Sequence, residues 1–129
     1  GQLGIGSADG TMSQHPDPSA VAFPDGVAIA DVAAGEGHAC AIASDGRAWC
    51  WGRGASGEIG DPASLSRCNA GTGTIPCATR PVAVAADRTL RAIATGSEET
   101  CGITSAGRLV CWGGGADRPG VREVVTRPR

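Results

Sequence analysis

The stretch His38–Gly52 reads HACAIASDGRAWCWG, and Thr100–Gly113 reads TCGITSAGRLVCWG. Each phrase holds two cysteines flanking a glycine-containing turn, with a Trp-Gly pair directly after the second cysteine. The turn ASDGR permits a two-residue loop at Asp45-Gly46 or a three-residue loop at Ser44-Asp45-Gly46. The longer loop puts Gly46 in the left-handed conformation that closes a bulged hairpin. TSAGR allows the same with Gly107. In the three-residue register Ala43 faces Arg47, so Cys40 faces Cys50. Counting outward, that pair is non-hydrogen-bonded, the kind whose side chains come closest. The same count sets Cys101 opposite Cys111. A disulfide spans Cα atoms roughly 4.4–6.8 Å apart, and such a pair lies near the lower end of that range.

The opposite face of the hairpin follows by alternation. If Cys40 and Cys50 point one way, Trp49 and Trp51 point the other, beside Ala39 and Ala41. Small residues opposite large rings leave the rings room. Trp51 recurs as Trp112, whereas Trp49 becomes Val110. Trp51 and Trp112 therefore read as core, and Trp49 as a partly exposed ring and a candidate contact residue.

The phrase belongs to a longer repeat. An offset of 61 residues superposes Cys40 on Cys101, Cys50 on Cys111, Trp51-Gly52 on Trp112-Gly113, Gly46-Arg47 on Gly107-Arg108 and Val21 on Val82. GQLG at Gly1–Gly4 matches GEIG at Gly57–Gly60 at a shorter offset of 56. The difference lies in an insertion that carries Cys68 and Cys77. Unit one thus runs over about 1–56, unit two over about 57–117, and residues 118–129 form an incomplete third unit. Short apolar segments such as VAIADVAAG, HACAIA and GRAWCWG, bounded by Gly and charges, predict strands and an all-β repeat. The Cys68–Cys77 pair is expected to staple the inserted loop around NAGTGTIP, for roughly 2–3 kcal/mol in the chain-entropy picture.

Composition narrows the function classes. The chain has 129 residues, 21 of them Gly, and carries a net charge of −2. All its basic residues are Arg, and they are scattered. No basic stripe suits a nucleic acid, and no apolar run approaches the roughly 18 residues of a membrane span. The cysteine spacings do not fit a zinc site, and no metal or cofactor is expected. Asp9, Asp17, Asp31 and Asp61 do not make a calcium loop. The glycine-rich phrases lack the strand–loop–helix setting and the Lys of a phosphate-binding loop. A thiol pair across a hairpin lacks the helix N-terminus that activates a redox cysteine. Six paired cysteines point instead to disulfides in an oxidising compartment.

The order GQLGIG, VAAGEGHACAIASDGRAWCWG, GEIGD resembles the regulator-of-chromosome-condensation repeat over nearly all of residues 1–117. The resemblance implies an all-β fold, about two blades and a partial third of a β-propeller, each blade four antiparallel strands. It implies structural roles for His38, Gly46, Gly107, Trp51, Trp112 and the glycines Gly1, Gly4, Gly57 and Gly60. His38 has Glu99 at its equivalent place in unit two. The cysteine-paired repeats are similar to those of secreted bacterial proteins. Seven blades of about 58 residues would need roughly 400, so the chain is expected to be a piece of a longer propeller or to assemble with copies of itself.

Three functions are weighed. The favoured one is a non-catalytic extracellular module for protein binding or scaffolding. Its candidate contacts lie in the Ile5–Ser19 loop (Gln14, His15) and the stapled 61–80 loop (Asp61, Arg67, Arg80), since loops on a rigid ring carry function. The alternatives are guanine-nucleotide exchange on a small GTPase, as the family resemblance implies, and an accessory propeller of a secreted hydrolase. No nucleophile–base pair or clustered acids stand out, so no catalytic residue is expected.

Overall fold

A computed structural model describes residues 4, 20–60, 65–69, 73–85, 88–115 and 120–124. They form two antiparallel sheets. The first contains β1 (Ile29–Ala34), β2 (His38–Ala43), β3 (Ala48–Arg53), β4 (Ser66–Asn69) and β5 (Thr74–Val84), in the order β1-β2-β3-β5-β4. The second contains β6 (Leu90–Thr95), β7 (Glu99–Thr104), β8 (Leu109–Gly113) and β9 (Arg122–Glu123), in sequence order.

Both repeated phrases fold as three-residue-loop hairpins. Ala43 N–H donates to the Arg47 carbonyl at 2.8 Å, and Thr104 N–H to that of Arg108 at 2.8 Å. Gly46 takes φ 87°, a conformation open to glycine and costly for other residues. Cys40 stands opposite Cys50 and Cys101 opposite Cys111. Both pairs are disulfides with Cα atoms 4.1 Å apart, just under the usual range. Ala39 faces Trp51 and Ala41 faces Trp49, so rings and cysteines occupy opposite faces.

The two sheets stack with unlike faces together. The His38–Cys40–Ile42 face of the first sheet lies against the Thr100–Trp112 face of the second. Leu90 N–H donates to the Gly46 carbonyl at 2.8 Å across this boundary. One apolar cluster runs through it, including Cys40, Ile42, Cys50, Ile59, Val84, Leu90, Val110 and Trp112. The ring face of the first sheet is covered differently. Phe23 meets Trp51 edge-on at 5.6 Å between centroids and Trp49 at 6.2 Å.

The G-x-x-G phrase is the hand that grips the next hairpin. Gly60 lies so close to Trp112 that an added Cβ would stand 3.1 Å from the indole Cδ1. Gly4 stands in the same relation to Trp51, at 2.8 Å. Gly4 and Gly60 therefore each pack on a ring later in the chain, where any side chain would push the indole away.

Two expectations change. The first sheet has five strands rather than four, because the insertion is not a stapled loop. It folds as the β4–β5 hairpin, with Cys68–Cys77 bridging its strands at a Cα distance of 5.8 Å. Burial along β5 rises from exposed Thr74 through half-buried Ile75 and Pro76 to buried Cys77 and Ala78, where the strand enters the sheet. The tail segment Arg122–Glu123 adds to the second sheet beside β8. Arg108 Nη1 holds Glu123 Oε1 at 2.7 Å there. Each sheet takes its last strand from beyond the Trp-Gly phrase, so sheets and sequence units do not share boundaries.

Candidate functional site

Polar side chains meet at the boundary between the sheets and, separately, on the β4–β5 hairpin. At the boundary His38 is buried, and its Nε2 lies 2.8 Å from the Thr100 hydroxyl. That hydroxyl donates to the Glu58 carbonyl at 3.1 Å. Its single proton is thereby used, so His38 Nε2–H is the donor to Thr100. The chain of bonds joins β2, β7 and the G-x-x-G connector. Burial lowers the His38 pKa, opposed in part by a hydrogen bond with the Glu99 backbone, so the ring is held neutral.

Glu58 is fully buried, and its Oε1 accepts from Ser56 N–H at 2.8 Å. Burial raises its pKa. The Ser56 and Glu58 backbone hydrogen bonds and the Arg53 charge work against that rise, and the Glu98 charge adds to it. Among the described residues the side-chain partner of His38 is a threonine that is already donating. The arrangement clamps sheets together. Among the described residues no three His, Cys, Asp or Glu side chains are grouped to hold a metal ion.

On the hairpin, Arg67 and Arg80 are exposed. Arg67 Nε donates to Thr74 Oγ1 at 3.0 Å and its Nη2 to the Thr74 carbonyl at 3.2 Å. Trp49 is half-buried against Phe23, on the far side of the first sheet from the His38 boundary. The structure therefore does not bring Trp49 and the boundary polar groups together. Gly1, Gln14, His15 and Asp61 lie outside the described residues. Gly57 has φ 81° and bonds back to the Gly54 carbonyl at 3.4 Å in the connector turn.

Thr100 and Glu58 escaped the sequence reading. Thr100 has Ala39 at its repeat-equivalent place, so the repeat hides it. Glu58 carried a faint signal: the second position of both G-x-x-G phrases is polar, Gln2 and Glu58.

With this geometry in hand, the comparisons are direct. Residues 29–58 match the Regulator of chromosome condensation (RCC1) repeat. The match spans one repeat and less than half of the chain. The matched segment holds the β1–β3 meander and the first residues of the connector that grips Trp112. The RCC1 domain-containing protein RUG3, mitochondrial, of Arabidopsis thaliana is 30% identical over 131 residues, covering 98% of this chain and 26% of RUG3. The crystal structure of Prp20p from Saccharomyces cerevisiae superposes with a TM-score of 0.77 at 20% identity, over 97% of this chain and 32% of Prp20p. Kap60-bound yeast RCC1 (Prp20) gives 0.70 at 24% identity, over 87% of this chain and 26% of that one. The chain thus spans about a quarter to a third of these proteins. At such identities the solved structures speak for the fold: antiparallel all-β sheets forming part of an RCC1 propeller. In the second of these structures yeast RCC1 (Prp20) is bound by Kap60. Among the described residues of the present chain no helix is long and apolar enough to cross a membrane.

Proposed function

We propose that the chain is a non-catalytic, extracellular RCC1-repeat module that binds or scaffolds another protein. The observation that carries this reading is the pairing of all six cysteines, two pairs within the repeat hairpins and one in the insertion. Disulfides at three separate places persist in an oxidising compartment and are reduced in cytosol or nucleus. Sheets that are each stapled internally by disulfides, one of them extended at its edge by the insertion hairpin, suit the presentation of a contact surface. The secreted bacterial setting is part of the proposal. So is the presence of further blades, or copies, around the ring.

The test is a thiol count on protein purified from its native compartment, denatured with and without reductant. Six blocked cysteines before reduction are expected. Six free thiols would sink the extracellular reading and favour the exchange-factor role, whose support is the fold likeness to Prp20p.

A further inference from the structure

The β4–β5 hairpin ends the first sheet, and β4 has no strand on its outer side among the described residues. The register says which backbone groups face outward. Arg67 stands opposite Pro76. Pro76 has no N–H, and its carbonyl turns away from β4 to accept from Gly54 N–H at 2.9 Å. Within a strand, the N–H and C=O of one residue point to the same side. Arg67 and Pro76 therefore form a non-hydrogen-bonded pair, and the N–H and C=O of Arg67 point to the open edge. The Cys68–Cys77 disulfide ties this edge to the sheet.

The charge at the edge has one sign. Arg67 is exposed, and its two side-chain bonds go to the neutral Thr74 hydroxyl and carbonyl. Arg80 is exposed further along β5, and the described residues of the hairpin include no Asp or Glu. An unpaired edge bearing a basic side chain repels copies of itself. Antiparallel pairing of two β4 strands about Arg67 would set one guanidinium opposite another. The same charge favours an acidic strand.

We propose that the outer edge of β4 takes an extended, acidic segment of a protein partner by strand addition, with a carboxylate opposite Arg67. This rests on the protein-binding reading and names its surface and the chemistry of its partner. Backbone pairing with Arg67 supplies affinity, and the carboxylate supplies selectivity.

The probes are two end-blocked, fluorescein-labelled decapeptides, one alternating Thr and Glu, the other Thr and Lys. Each is titrated into the whole disulfide-intact chain at low salt and followed by anisotropy, with amide exchange measured in parallel. The Thr–Glu peptide is expected to bind about tenfold more tightly than the Thr–Lys peptide, and to slow exchange at the Arg67 amide. Arg67→Glu should reverse the preference. Arg67→Pro deletes an outward N–H while leaving the β4–β5 ladder whole, and should weaken binding with the melting temperature unchanged. Equal binding of the two peptides, or binding that leaves the Arg67 amide unaffected, overturns the proposal. So does a protein partner captured equally by wild type and Arg67→Glu when neither peptide binds. In that last case the edge assignment falls while the protein-binding reading stands.

Discussion

The two cysteine hairpins share register, turn and ring, yet they live in different surroundings. Cys40 and Cys50 are wholly buried, whereas Cys101 and Cys111 are half-buried. The Cα separation is 4.1 Å in both. The difference lies in the neighbour. The second sheet covers the cysteine face of the first, and among the described residues no third sheet covers its own. On the ring face the order reverses and is less steep: Trp112, in the second hairpin, is 0% exposed and Trp51, in the first, 4%. A repeated phrase thus yields a repeated shape, and the stacking partner sets what each copy contributes.

The strongest way to break this comparison is through the rings. Trp112→Ala removes a ring enclosed between the sheets and should cost about 3–5 kcal/mol in urea unfolding. Trp51→Ala should cost less, since its cover from Val21 and Phe23 is only partly buried. Equal losses would mean that the boundary between sheets is no special anchor.

Next come the disulfides, each contributing about 2–4 kcal/mol. In graded dithiothreitol, alkylation and mass spectrometry should find Cys101–Cys111 opened before Cys40–Cys50. A thiolate must reach the sulfur it attacks. Opening in the reverse order would contradict the burial difference.

Thr100→Val should cost about 1–3 kcal/mol, because it strands the His38 N–H and the Glu58 carbonyl in the boundary. Ala39 occupies the equivalent place in the first hairpin, so no second copy of the relay compensates.

The turn glycines sharpen the contrast further. Alanine at either position is strained by about 1–2 kcal/mol in the left-handed region. At Gly46 the new Cβ would also lie 2.9 Å from Thr89 Cβ, while at Gly107 it meets nothing within 4 Å. Gly46→Ala should therefore lower the melting temperature more than Gly107→Ala.

The smallest effect is a slope with pH. His38 has its folded pKa below the ordinary 6.5, so the unfolded chain binds the proton first as pH falls. Its share of stability is whole above about pH 6.5 and declines below it, down to the folded pKa. Glu58, with a raised pKa, works in the opposite sense from its folded pKa down to about 4.5. Melting curves at pH 7.5 and 6.0 should differ less in His38→Gln than in wild type.

Much of this architecture was legible in residues alone. The spacing of Cys40, Gly46 and Cys50, written again at Cys101, Gly107 and Cys111, is local information. A turn of three residues with glycine last leaves one register, and alternation then assigns the faces. The insertion was legible as an insertion, but read as a loop. Nothing local says that Ser66–Asn69 will pair, because a four-residue strand gains little until a neighbouring edge accepts it.

What the chain's own order of residues determined is each hairpin: its turn, its cross-strand cysteines and its ring face. What tertiary structure alone decided is which cysteine pair lies buried, that Thr100 bridges His38 to Glu58, and that the insertion extends a sheet and exposes the Arg67 edge. Hairpin register follows from steric rules acting over a few bonds. Burial and bridging depend on which surface arrives from sixty residues away, and pairwise repetition in sequence carries no record of that arrival.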